Sequence, residues 1–175
     1  MIVPDDNGCT WVLELPCPDC GFDPAAIRRA DIADRIEASA VGWAARLDTA
    51  DARVRPDSAT WSVPEYGCHV RDVHDIMRTR LELMPAQDDP PFPNRGQDAT
   101  AVDSRYDRQS LEAVSIELDC AADLLVASYR GVPGAAWRRP GRRSDGSRFT
   151  VHTLGVYALH DLEHHRVDVG SARAL

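Results

Sequence analysis

His160 and His164 stand four residues apart in a stretch of helical character. That spacing puts two imidazoles on one face of a helix, with Cβ atoms about 5–6 Å apart, so that both can serve one metal ion. His69 lies beside Val73 and Ile76 at helical offsets, so it is expected to face inward from a different helix. Three imidazoles converging from two helices would hold a divalent ion. They would leave one coordination position for water or substrate, the arrangement of catalytic rather than structural zinc sites. Zinc fits such a set, and imidazole also suits nickel or iron. Taken singly, each feature has a plainer reading: H-x-x-x-H pairs arise by chance, and an inward histidine is often a hydrogen-bonded core residue. Their convergence is what points to a metal. His74 and His165 fall on neighbouring faces and are expected to be partly exposed.

A second constellation is Cys17-Pro18-Asp19-Cys20-Gly21. Two thiolates on a tight turn supply half of a tetrahedral zinc site. No second C-x-x-C exists, so Cys9 or Cys68 would have to help complete it. Cys68 directly precedes His69 and projects about 100° away from it around the helix. It is therefore the preferred third ligand of a structural zinc with Cys17 and Cys20, and the plainer alternative is a set of free thiols. A count of five cysteines is odd, which in a reducing compartment favours metal or free thiols over disulfides. Arg138, Arg139, Arg142 and Arg143 form a dense cationic loop. Arg142 and Arg143 could clamp anionic groups of a reactant by bidentate contacts, or the loop could simply be solvated and anchored by Trp137. His160-Asp161-Leu162-Glu163-His164 also matches the inverted zinc-protease motif, but that chemistry needs a further ligand well downstream, and little sequence follows.

These residues need elements to carry them. Residues 1–22 read as an irregular segment broken by Pro16, Pro18 and Gly21, with Trp11-Val12-Leu13 extended; the bundle proper would span 23–175. Asp23-Pro24 resembles an N-cap with proline at the first helical position, predicting a helix from Pro24 to Ala50 with Ile32, Ile36, Ala40, Trp43 and Leu47 buried. Ser62-Val63-Pro64-Glu65 has capping-box form and opens a second helix, Val63 to Met84. A third runs from Ser110 to Arg130, and a fourth, capped by Thr150, from Val151 to Asp168 with Val156, His160, His164 and Val167 inward. The connection of about 25 residues after the second helix is long enough for a crossover and for covering a site. The expected fold is all-α: an up-down-down-up four-helix bundle with an irregular N-terminal segment.

Composition excludes several classes. A formal charge of −8 argues against non-specific binding of nucleic acid and of an anionic membrane surface. No apolar run of about 18 residues is present, and the N-terminus lacks the pattern of a signal peptide, so a cytoplasmic monomer or homodimer is expected. All 20 basic residues are arginine, a bias most simply attributed to a GC-rich genome.

Trp61-Ser62-Val63-Pro64-Glu65 with His69 and Asp72, and the segment His160-Asp161-Leu162-Glu163-His164-His165, resemble the two signatures of the DinB/YfiT-like superfamily of metal-binding four-helix bundles. The likeness covers roughly residues 24–170 and implies the same up-down-down-up fold, with His69, His160 and His164 as metal ligands. The stretches Pro85 to Tyr106 and Pro140 to Gly146 look similar to actinobacterial members, which are related to mycothiol-dependent transferases and maleylpyruvate isomerases. The resemblance thus implies a metal-dependent thiol transferase that uses a small-molecule thiol, mycothiol above all, and an electrophilic substrate. Asp161 and Glu163 are candidates to orient the histidines. A metal-dependent hydrolase and a non-catalytic metal-binding stress-response protein are the alternatives.

Overall fold

Ile32, Ile36, Trp43 and Leu47 of the first apolar stripe are buried and Ala40 is partly buried, but the stripe does not belong to one helix. The computed structural model describes residues 9–170. Asp23 caps only a single 3₁₀ turn, Pro24–Ala26, accepting from the Ala25 N–H at 3.0 Å. α1 begins at Ile32 and ends at Ala40, and α2 follows as Trp43–Leu47. Gly42 stands between them with φ of 96°, a left-handed conformation that favours glycine. The break re-aims the chain so that Trp43 stays buried with Ile32 and Ile36, while Leu47 is buried in a second cluster with Tyr106 and Val114. Trp11-Val12-Leu13 is not extended either; it lies in a 3₁₀ turn, Cys9–Leu13.

α3 spans Val63–Ala86 and keeps Pro85 inside its last turn. At its start the Glu65 carboxylate accepts from the Ser62 N–H (2.9 Å) and hydroxyl (2.7 Å), and pairs with Arg55. The long connection is not featureless: it holds β1 (Pro91–Phe92), α4 (Gln97–Asp103) and a 3₁₀ turn at Tyr106–Arg108. α5 spans Leu111–Arg130. A hairpin of β2 (Pro140–Arg143) and β3 (Arg148–Thr150) leads into α6 (Val151–Asp168). β2 pairs antiparallel with β3 and parallel with β1, which ties the crossover to the hairpin.

Cross-helix contacts fix the topology. Arg71 reaches Glu117 and Glu82 accepts from Ser128, so α3 and α5 run the same way. Arg35 pairs with Glu163 and Arg166 donates to the Ala38 carbonyl, so α1 and α6 are also parallel. Tyr66 packs on His165 while His69 meets Asp161, so α3 and α6 are antiparallel. The bundle is up-down-down-up, with α1 and α2 together forming its first helix. Among the described residues no helix is long and apolar enough to cross a membrane.

The N-terminal segment is part of the core: Val12, Cys17, Cys20, Phe22 and Ile27 are buried in one cluster with Val156, Leu159 and Leu162. At Gly155, where α1 approaches α6, an added Cβ would lie 2.9 Å from Ile32 Cδ1 and 3.0 Å from the Tyr129 hydroxyl. In an open helix Gly→Ala gains about 1 kcal/mol. Here overpacking costs about 1–3 kcal/mol, so Gly155→Ala is expected to lower the denaturant midpoint. A midpoint that rises instead would show that α1 can yield.

Candidate functional site

Successive residues of a helix are 100° apart, so α6 offers two polar pairs on adjacent faces. Asp161 and His165 face α3. His69 Nε2 lies 3.2 Å from Asp161 Oδ1, and His165 Nε2 lies 3.1 Å from the same oxygen. The His69 and His165 rings are edge-on with centroids 4.9 Å apart. Trp61 packs on His69 and Tyr66 on His165. Behind the cluster, Asp168 Oδ2 sits 2.8 Å from His165 Nδ1, which leaves Nε2 of that ring for the centre of the site.

His160 and His164 face the other way, toward the N-terminal segment. Cys17 Sγ lies 3.6 Å from His164 Nδ1. One donor atom from each of Cys17, Cys20, His160 and His164 lies within 4.8 Å of all the others; the same holds for His69, Asp161 and His165.

The expected ligand set of His69, His160 and His164 is therefore not brought together. The reason is the rotation of α6. Leu154, Ala158, Leu159 and Leu162 are fully buried and fix the face that enters the bundle. His160 is two residues, or about 200°, beyond Ala158, nearly opposite that face. Val156 is buried too and stands four residues before His160, on the same side of the helix, which made that side read as inward. His69 consequently meets the pair one residue later. Cys68 does not join Cys17 and Cys20; it is fully buried with Leu47, Tyr106 and Val114, and burial pushes its thiol up to about 12.

Arg142 and Arg143 are likewise engaged within the fold. Arg142 pairs with Asp89 at 2.8 Å. Arg143 is buried against Asp145 at 2.7 Å and the Tyr157 hydroxyl at 3.2 Å. Arg139 donates to the carbonyls of Met84 and Gln87, so the cationic loop braces the hairpin against the end of α3. His74, expected to be partly exposed, is fully buried, with Nδ1 2.7 Å from the Val70 carbonyl; burial lowers its pKa to about 4. The two members of this cluster that the sequence did not single out as donors are Asp161 and His165. Their signal was present: Asp161-x-x-x-His165 repeats the i, i+4 spacing, and Asp168 follows at i+3 to orient the imidazole.

Electrostatics separates the two faces. Burial alone would lower the His165 pKa, but the hydrogen bonds to Asp161 and Asp168 outweigh it and raise it to about 9. Burial alone would raise Asp161, yet bonds from His165 and His69 hold it well below the usual carboxylate range. On the other face burial, then neighbouring His164, lowers His160 to about 4, and burial raises Cys20 to about 11. The α3 face thus offers two imidazoles and a carboxylate, a set with room for a further donor. The other face offers two thiols and two imidazoles.

Comparison with known proteins agrees with this architecture. YfiT from Bacillus subtilis, described as a probable metal-dependent hydrolase with an unusual four-helix bundle topology, superposes with a TM-score of 0.69 at 15% identity, over 82% of this chain and 89% of that one. No curated protein matches the chain. The family model of the DinB superfamily matches residues 33–167, which include α1 but for its first residue, the whole of α3, and α6 but for its last residue. The four-helix bundle described above is thus that of a known family, and the chain belongs to the DinB superfamily.

Proposed function

We propose that this protein is a metal-dependent enzyme that transfers a low-molecular-weight thiol to a small electrophile, with His69, Asp161 and His165 as the ligands of its working ion. The observation that carries the reading is the convergence of these three donors, with Asp168 anchoring the far nitrogen of His165. A carboxylate behind a ligating histidine fixes its tautomer and its aim. Zinc suits a set of two imidazoles and a carboxylate, with nickel or iron as alternatives. When bound, such an ion lowers the pKa of a thiol or water in the remaining position.

The protein's own residues do the rest. Trp61 and Tyr66 close the apolar side of the cluster and limit access of water. Trp61 also lines a cavity of about 830 Å³ with Arg53, Arg55, Ser62, Glu65 and Arg105. Arg55 is paired with Glu65 and Arg105 with Asp107. Arg53 donates instead to the carbonyls of Asp107 (3.0 Å) and Gln109 (2.8 Å), which orient it without neutralising it. It therefore takes the anion-binding role first considered for Arg142 and Arg143. Mycothiol is the thiol to test first, on the likeness of two loop segments to actinobacterial relatives. The description of YfiT favours a second reading, hydrolysis by activated water.

The test is to incubate metal-loaded protein with mycothiol and a model electrophile, beside His165→Ala. Product should require the thiol, and His165→Ala should fall to the uncatalysed rate. Arg53→Ala should raise KM for the anionic reactant with little change in kcat. Turnover without thiol would replace transfer by hydrolysis. Equal rates in wild type and His165→Ala would overturn both readings.

A further inference from the structure

We propose that Cys17, Cys20, His160 and His164 bind a second ion, a structural zinc that pins the N-terminal layer to the outer face of α6. The donor set is complete by itself. Cys-x-x-Cys and His-x-x-x-His are the two halves of a Cys₂His₂ site, here separated in sequence by nearly the whole bundle. The fold closes that separation: all four donors lie within 4.8 Å of one another. Cys17 Sγ and His164 Nδ1 are 3.6 Å apart. Zinc–sulfur and zinc–nitrogen bonds of about 2.3 and 2.0–2.1 Å at a tetrahedral angle give an edge of about 3.6 Å.

Independent features point to the same occupant. His160 Nε2 is buried with no hydrogen-bond partner, although its ring is held edge-on by Phe22 at 5.5 Å and Trp11 at 6.2 Å. An orphaned buried nitrogen on an immobilised ring is costly unless something ligates it. The cysteine turn is pre-formed: the Cys17 N–H donates to the Phe22 carbonyl and the Gly21 N–H to the Cys17 carbonyl, each at 2.8 Å. Both thiols are buried, 3% and 4% exposed. His164 turns Nδ1 to Cys17, while its Nε2 lies 3.8 Å from Asp168 Oδ1. Asp168 therefore stands between the two centres, with its other oxygen on His165.

Four protein donors leave no position for substrate, so this centre is structural. Its role follows from what it joins. Residues 9–31 contribute short turns and no long helix, and they cover the face of α6 that lies away from the bundle. An ion fastening Cys17 and Cys20 to His160 and His164 holds that layer down.

Cobalt substitution of the full chain tests this separately from the active-site reading. Cobalt-loaded wild type should show a thiolate-to-cobalt charge-transfer band and the intense visible bands of a four-coordinate ion. The charge-transfer band should persist in His165→Ala and vanish in Cys17→Ser/Cys20→Ser, which should carry one zinc fewer per chain than wild type. Should that double variant fail to fold, wild-type protein titrated with a mercurial should release zinc in step with modification of two thiols. A cobalt-loaded wild type without the charge-transfer band overturns the proposal. So does the same band in the folded double variant, zinc release independent of thiol modification, or isolation of the native chain with Cys17 and Cys20 joined in a disulfide and no thiolate-bound metal.

Discussion

Asp161→Ala is expected to abolish stoichiometric metal binding at the α3–α6 site, while His160→Ala leaves that site's affinity unchanged. Asp161 Oδ1 is the atom on which the cluster converges, 3.2 Å from His69 Nε2 and 3.1 Å from His165 Nε2. It is the only negative charge in a three-donor set, so its removal strips both a ligand and the compensation for the ion's charge. The loss should exceed the roughly 10–100-fold that removal of an orienting carboxylate costs. Asp168→Ala supplies that smaller step in the same experiment. His160 serves the adjacent face of α6 and is not a donor in this equilibrium. Calorimetric titration of the metal-stripped proteins measures all four affinities. Equal damage from Asp161→Ala and His160→Ala would restore the ligand set of His69, His160 and His164.

That ligand set shows how far the sequence could be read. The histidine types, the helices carrying them and the antiparallel meeting of α3 with α6 were legible. So was the parallel pairing of α3 with α5, because the connection between them is too long for a hairpin. The partition of the ligands was not, since it turns on one residue, and one residue is 100° of helix rotation. α6 carries apolar residues nearly all the way round. Leu154, Ala158 and Leu162 are fully buried, Val156 is buried as well, and His160 packs on Trp11 and Phe22 of the N-terminal layer. A helix buried on two sides has no single stripe from which to read its rotation. The second layer was itself illegible, because its turns at Cys9–Leu13 and Pro24–Ala26 have no period.

Other misreadings have similarly local causes. Ile32, Ile36, Trp43 and Leu47 keep helical spacing across Gly42, so the break in the first helix left no mark on the apolar pattern. β1, β2 and β3 are two to four residues long, too short to show the alternation that identifies a strand. The arginines of β2 then looked like a solvated or substrate-binding loop. A cluster of four arginines says nothing of which one is buried, because that depends on how the turn folds a carboxylate two residues away back onto it.

Arg143 is the buried one, and its dependence on that partner yields a stability prediction. Its guanidinium lies 2.7 Å from Asp145 and 3.2 Å from the Tyr157 hydroxyl, and it sits over the rings of Phe149 and Tyr157. Asp145 also accepts from the Ser147 N–H at 3.0 Å, closing the turn between β2 and β3. Breaking a fully buried pair by deleting one member costs about 3–5 kcal/mol, because the other charge is left without compensation. The Asp145 side chain is 33% exposed, which lets water reach the pair and places Asp145→Ala at the low end, about 3 kcal/mol. For a chain of this size that lowers Tm by roughly 6–12 °C. Arg143→Met should cost less, since methionine fills the apolar slot and leaves Asp145 near solvent with its turn bond intact. The double variant should be no less stable than Asp145→Ala alone. The Arg143 hydrogen bond holds the Asp145 carboxyl well below its ordinary range. A depressed carboxylate contributes stability above its unfolded pKa of about 3.9 and loses it as pH falls through the folded value. The gap between wild type and Asp145→Ala should thus be constant from pH 7 down to about 5 and narrow below about 4. An Arg143→Met chain less stable than Asp145→Ala, or a gap that widens in acid, would mean that the arginine is held by its aromatic neighbours and not by the carboxylate.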